Sequence, residues 1–275
     1  MMRTMSQLKI LHVLQVLIVT LFISGCGAFD GSSSALTRQS VRPFVLNQAQ
    51  FNVRVRYQNG AEPYVGNLAS GVCVWSITEM NLKGSLPDWV ANVSVPHNLS
   101  QMSRINSPIR GEWTQEALKE LAFETNFSQQ GLTNNTITAY YLLGNYKKNP
   151  AAMGLHFHGS SVVFIFKDIV RSLGGTRDSQ SFTEQAAIMH EIGHAFGLVN
   201  GYVQMTWGPH EDPHSKSHCT NRACVMYRRS DGVQGYQQFR IREMLGRSED
   251  LFNLFGQECN VDLQNFYQQG CSGFL

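Results

Sequence analysis

The chain has 275 residues, with 22 Lys and Arg against 20 Asp and Glu, a formal net charge of +2. Both surplus bases, Arg3 and Lys9, lie within the first 25 residues, so the remainder carries 20 of each sign and is formally neutral. No basic run occurs, which excludes the charge pattern of a nucleic-acid-binding surface.

Arg3 and Lys9 precede an apolar run from Ile10 to Ile23, and the small residues Ser24 and Gly25 follow it. Charged, apolar, then small is the order of a secretory signal. The run is shorter than the roughly 20 apolar residues of a membrane span. "ISGC", Ile23 to Cys26, resembles a bacterial lipobox. That resemblance implies a signal peptide over residues 1–25 and lipidation of Cys26. The protein would then be anchored to a membrane rather than spanning it. Gly27, in place of Asp, implies the outer membrane. Residues 26–48 read as the lipidated cysteine and a flexible tether. Residues 49–275, roughly 225, are ample for one domain with a substantial core.

"FNVRVRY", Phe51 to Tyr57, alternates apolar and basic residues with period two, the mark of a half-buried strand. Asn59-Gly60 supplies a turn, and "GVCVWSI", Gly71 to Ile77, reads as a second, more apolar strand. "WTQEALKELAFE" reads as a helix: Thr114 caps it, Leu118, Leu121 and Ala122 share a face, and Trp113 can staple onto Leu118. Asn135 to Tyr146 and Ser160 to Val170 are further strand candidates. "SFTEQAAIMHEIGHAFGL" opens with Ser181 and Glu184 at capping-box spacing and closes at Gly197, a helix with both ends marked. From Asn200 to Tyr227 the sequence is polar, loop-like and rich in histidine. The tail beyond residue 228 should hold one or two helices, "SEDLFNLF" among them. Strands first and a functional helix later give an α+β domain with a loop-rich C-terminal part.

Five cysteines follow Cys26. In an exported chain disulfides are expected. Cys219 with Cys224 and Cys259 with Cys271 each close a short loop, so these are the expected pairs, with Cys73 left over in its apolar strand.

The chemistry concentrates on "HEIGHAFGLVN", His190 to Asn200. At about 100° per residue, Ile188, Ile192, Ala195 and Val199 form one stripe of the helix. His190, His194 and Gly197 form the opposite one. Two imidazoles at i and i+4 can share one Zn²⁺, and Glu191 beside them can act as general base on a water. Hydrolysis needs a third protein ligand and an open position. Asn200, His210, Glu211, Asp212, His214 and His218 are the downstream candidates. His156 and His158 in "HFHG" share one face of a possible strand and read as a surface-exposed pair. His210, Asp212 and His214 read as solvated loop residues. Asn200 suits a left-handed turn at the end of the helix.

The string "HEIGHAFGL … HCTNRACVM" resembles the archaemetzincin pattern, a branch of the metzincin zinc peptidases. In that pattern the glycine and leucine are followed by His-Cys, four residues, Cys, one residue and Met. The resemblance covers residues 190–226, interrupted by the insertion between Leu198 and His218. It implies a zincin-like mixed sheet with an active-site helix. It also implies His218 as the third ligand, with His214 the runner-up, and Met226 as the floor beneath the metal histidines. Members of that branch can carry a second zinc on cysteine pairs that include a CxxC. This chain has none, so no second zinc is expected and Cys219–Cys224 reads as a disulfide. The expected function is that of a zinc endopeptidase acting on peptide or protein substrates. The rival is a non-catalytic zincin-fold lipoprotein that binds a peptide or surface partner. Glu191 speaks against the rival, since a binding site needs no base beside its metal.

Overall fold

The computed structural model describes residues 50–127, 135–158, 160–227 and 253–270. The signal-peptide, tether and Cys26 expectations, and Cys271, lie outside the described residues. So does most of "SEDLFNLF". Its last residues, Leu254 and Phe255, are buried but not helical. Among the described residues no helix is long and apolar enough to cross a membrane.

Strands β1 (Gln50–Gln58), β2 (Asn92–Ser94), β3 (Ser103–Ile105), β5 (Thr136–Leu142), β7 (Gly154–His156) and β8 (Val162–Phe166) build one sheet in the order β2-β1-β5-β8-β7. The two ends of β1 pair with β2 and β3. All pairings are parallel except that of β7 with β8, so the sheet is mixed, as expected. The short strands β4 (Glu112–Trp113) and β6 (Asn145–Tyr146) form a separate parallel pair.

Period-two alternation divides the core in two. Val53, Val55, Ile137, Ala139, Tyr141, Val163 and Ile165 point to one face. They pack with helices α1 (Val74–Ser85), α4 (Arg177–Ala195) and α5 (Gln257–Gly270). Tyr140, Leu142, Phe164 and Phe166 point to the other face and pack with α2 (Gln115–Phe127). Because both faces are covered, β5 and β8 are buried at every position, the pattern of interior parallel strands. The α2 reading stands: Thr114 Oγ1 accepts from Ala117 N–H at 3.2 Å. Leu118, Leu121 and Ala122 are buried in the same cluster as Trp113.

Three sequence readings are corrected. Residues 71–77 are not a strand: α1 begins at Val74 with Cys73 as its N-cap. Its buried residues, Val74, Trp75, Ile77, Thr78, Asn81, Leu82 and Ser85, follow helical spacing. The segment Val72–Ile77 is too short to reveal that period. The stretch 160–170 is strand only through Phe166, and the short helix α3 (Lys167–Ser172) follows. Helix α4 begins at Arg177, not near Ser181, because Thr176 Oγ1 caps it by accepting from Ser179 N–H.

Glu184 therefore has a different task from capping. It is fully buried, pairs with the buried Nζ of Lys167, and accepts from Tyr64 N–H at 2.7 Å. Lys167 Nζ also sits 3.3 Å from the centre of the Tyr64 ring. This desolvated pair ties α3 to the middle of α4, and the two metal-type histidines of that helix follow within about three turns.

Candidate metal centre

Helix α4 is buried almost throughout, and its last two turns carry His190, Glu191 and His194. The helix ends at Ala195, and Gly197 takes the left-handed conformation (φ 73°) that turns the chain. Val199 and Asn200 are left-handed too. Asn200 has the expected conformation, but it serves the turn beyond Gly197 rather than the helix end. The loop then returns through a hairpin of β9 (Glu211–Asp212) and β10 (Ser215–Cys219), which delivers His218 to the helix.

One candidate ligand atom from each of His190, His194 and His218 lies within 4.8 Å of the others. Ring centroids are 4.7 Å apart for 190–194, 5.3 Å for 190–218 and 5.0 Å for 194–218. Hydrogen bonds define two tautomers. His190 Nδ1 is 2.7 Å from Val225 O, and His218 Nδ1 is 2.8 Å from Lys216 O. A carbonyl oxygen only accepts, so Nδ1 carries the proton in each ring and Nε2 offers its lone pair. His190 Nε2 stands 3.1 Å from His194 Nε2. Two nitrogens on a tetrahedral zinc, at roughly 2.05 Å each, would stand about 3.3 Å apart. The three-imidazole set fits such an ion.

Burial, and then the neighbouring His218, lower the His190 pKa to about 3. Burial, reinforced by His190 and His218, holds His194 well below its usual value. Both rings are thus kept in the neutral, ligating form. His214 stands outside the trio; its backbone N–H donates to Asp212 Oδ1 at 2.8 Å.

Two glycines shape the centre. A side chain at Gly193, between the histidines, would run into Met226 Sδ, so the missing Cβ admits the fully buried Met226 beneath them. A Cβ on Gly154 of β7 would fall 2.6 Å from Glu191 Oε1 and 2.7 Å from its Cγ. The sequence reading did not single out either glycine.

The trio and Glu191 line an open cavity of about 320 Å³ that also touches Tyr146, His156 and His158. The histidine pair is therefore not simply a surface feature. His158 is exposed, but His156 is half-buried and donates Nε2–H to Ser160 O at 2.8 Å. Burial pulls the His156 pKa down to about 4. The strand bordering the cavity is β7, the edge of the sheet among the described residues, whereas β8 is interior, between β5 and β7.

The cysteines overturn the disulfide expectation. Cys219, Cys224 and Cys259 are all free and fully buried. Cys224 Sγ lies 3.5 Å from Cys259 Sγ, and His210 Nδ1 lies 3.3 Å from Cys219 Sγ. His210, Cys219 and Cys259 converge within 4.8 Å. Tetrahedral zinc would hold a sulfur pair at about 3.8 Å and a nitrogen–sulfur pair at about 3.6 Å. With Cys224 beside Cys259, the donor types gathered here are those of a Cys₃His zinc site. His210 is buried, not a solvated loop residue, and its Nε2 meets Asp262 Oδ2 at 2.6 Å. Asp262 also accepts from Thr206 N–H and Trp207 N–H. A carboxylate behind a ligating imidazole is the usual support for a metal histidine. Hydrogen bonds from Cys224 and Cys259 draw the Cys219 thiol down, whereas burial raises Cys224. The sequence reading missed this cluster because it sought a CxxC, and the chain supplies His210 and a distant Cys259 instead.

No protein-family model matches the chain, and no curated protein matches it. Solved structures do show similarity. The archaemetzincin from Methanopyrus kandleri is 14% identical, with 83% of this chain and 99% of that chain covered and a TM-score of 0.42. A zinc-dependent peptidase from Methanocorpusculum labreanum is 15% identical, with 77% and 99% covered and a TM-score of 0.40. The archaemetzincin from Archaeoglobus fulgidus is 14% identical over the same shares, with a TM-score of 0.32.

Proposed function

We propose that the chain is a zinc-dependent endopeptidase in which His190, His194 and His218 hold the metal and Glu191 is the general base. The observation that carries this reading is the convergence of three imidazoles, two with their lone pairs defined by hydrogen bonds, beside a carboxylate at an open cavity. A bound Zn²⁺ would supply Lewis acidity, polarising the scissile carbonyl and easing deprotonation of the attacking water.

The residues of the chain do the rest. Glu191 is only 4% exposed, so its carboxylate is poorly solvated and suited to taking a proton from water and returning it to the leaving amine. Gly154 leaves room for that carboxylate against β7. Among the described residues the outer side of β7 has no strand neighbour in the sheet, and an extended peptide can add there as a further strand beside the cavity. Met226 packs under Gly193 and supports the helix from below.

A second, structural zinc on His210, Cys219, Cys224 and Cys259 belongs to the same proposal. Cys219 directly follows His218, so an ion there would pin the strand that presents the third ligand. Export and lipid anchoring at Cys26 are likewise proposed, on the N-terminal sequence alone. Glu191→Ala tests the enzyme reading: peptide cleavage should vanish while bound zinc stays at the wild-type level. Unchanged cleavage would leave Glu191 without its role.

A further inference from the structure

Away from the histidine cleft, a second group of chemistry-bearing side chains stands together. Cys73 Sγ is 3.4 Å from His97 Nδ1, and the other nitrogen of that ring, Nε2, is 2.8 Å from Glu79 Oε2. Glu79 Oε1 in turn receives Lys83 Nζ at 2.6 Å. A nucleophile, a base and a carboxylate that orients the base are thus aligned through one imidazole.

The arrangement is fixed at each point. Cys73 is the N-cap of α1, and Glu79 and Lys83 lie about two and three turns along the same helix. His97 is held from its backbone, since its N–H donates to Gln101 Oε1 at 2.7 Å, and Gln101 also closes the capping box of the following turn. Cys73 is half-buried, whereas the other described cysteines are fully buried. Among the described residues it is the thiol that solvent can reach.

The electrostatics agree with the geometry. Partial burial would raise the Cys73 thiol, but the His97 hydrogen bond, helped by the amides of Trp75 and Ser76, outweighs it and the net shift is downward. The contact with Cys73, and then Glu79, raises His97 against burial. Burial would raise Glu79, but Lys83 and His97 bring it down.

We propose that Cys73, His97 and Glu79 form a reactive-thiol site that undergoes thiol–disulfide exchange with small-molecule disulfides. The Cys73 sulfur, as thiolate, attacks one sulfur of RS–SR. The RS–SR bond breaks, a Cys73–SR bond forms, and the departing thiolate takes the proton held by His97. Cys73 is oxidised and one RS group is reduced to RSH. Glu79 holds the ring in line for both steps.

The test uses the full chain and oxidised glutathione, with mixed-disulfide formation at Cys73 followed by peptide-resolved mass spectrometry between pH 5.5 and 9. An ordinary thiol loses nearly tenfold in rate per pH unit below its pKa of about 8.5. The wild-type Cys73 rate should fall far less between pH 8 and 6. His97→Ala should slow it about tenfold at pH 6 and barely at pH 9, because a lower pKa raises the thiolate fraction but weakens its nucleophilicity. Glu79→Gln should give a smaller loss in the same direction. A wild-type profile that falls like an ordinary thiol overturns the proposal without any variant having to fold. So does a Cys73 rate at pH 6 that is unchanged in a folded His97→Ala protein.

Discussion

Gly154→Ala puts a methyl group where the chain leaves space for the proposed base. The new Cβ would lie 2.6 Å from Glu191 Oε1, 2.7 Å from Cγ and 3.0 Å from Cδ. Carbon contacts are comfortable at about 3.5–4.0 Å, so the side chain must move by about 1 Å from Cγ outward. Rotating the carboxylate alone does not relieve the contact. A misplacement of about 1 Å in a reacting group costs about 10²-fold in rate, or about 2.7 kcal/mol of barrier. The overpacking also lowers stability by about 1–3 kcal/mol. The assay is kcat/KM on an internally quenched peptide, with zinc content and melting temperature measured on the same sample. The expected result is a loss of about two orders of magnitude with the metal retained. Wild-type kcat/KM in a folded, zinc-loaded Gly154→Ala protein would refute the role given to Glu191 at this position.

Other predictions follow from the same geometry. His218→Ala should lose the cleft zinc in equilibrium dialysis, whereas His214→Ala should keep it; the opposite pattern would move the third ligand. The purified protein should contain two zinc ions per chain, and Cys259→Ser should lose one of them and melt at lower temperature, since a structural zinc contributes folding free energy directly. Breaking the buried Lys167–Glu184 pair by Lys167→Met should cost about 3–5 kcal/mol in denaturant unfolding, because it strands a buried carboxylate. The double variant Lys167→Met, Glu184→Leu should recover much of that loss. A single variant as stable as wild type would show that the pair contributes little.

Much of the cleft was legible because its information is local. His190, Glu191 and His194 share one helix, so their spacing alone brings them together. His218 stands beyond a 19-residue insertion, and only the order of the residues after it pointed there. The Cys₃His cluster was not legible: Cys219 and Cys259 meet only through the packing of α5, and a short Cys219–Cys224 loop looked like a sufficient partner for both thiols. The start of α4 was misread because Ser181 and Glu184 mimic a capping box, while the buried lysine that Glu184 pairs with lies on another element. Residues 71–77 failed for a different reason. Val, Cys, Val and Trp favour strands locally, and the helical spacing of Trp75, Thr78 and Leu82 emerges only over the longer window.

The central claim is that three histidines and Glu191 form a hydrolytic zinc centre. Its most direct test is one peptide-library cleavage measurement by mass spectrometry, comparing zinc-loaded wild type with equally loaded Glu191→Ala. The account predicts internal peptide-bond cleavage by the wild type and none by the variant, with cleft zinc intact in both. Zinc-loaded wild type that cleaves no peptide, or a variant that cleaves equally well, would contradict it.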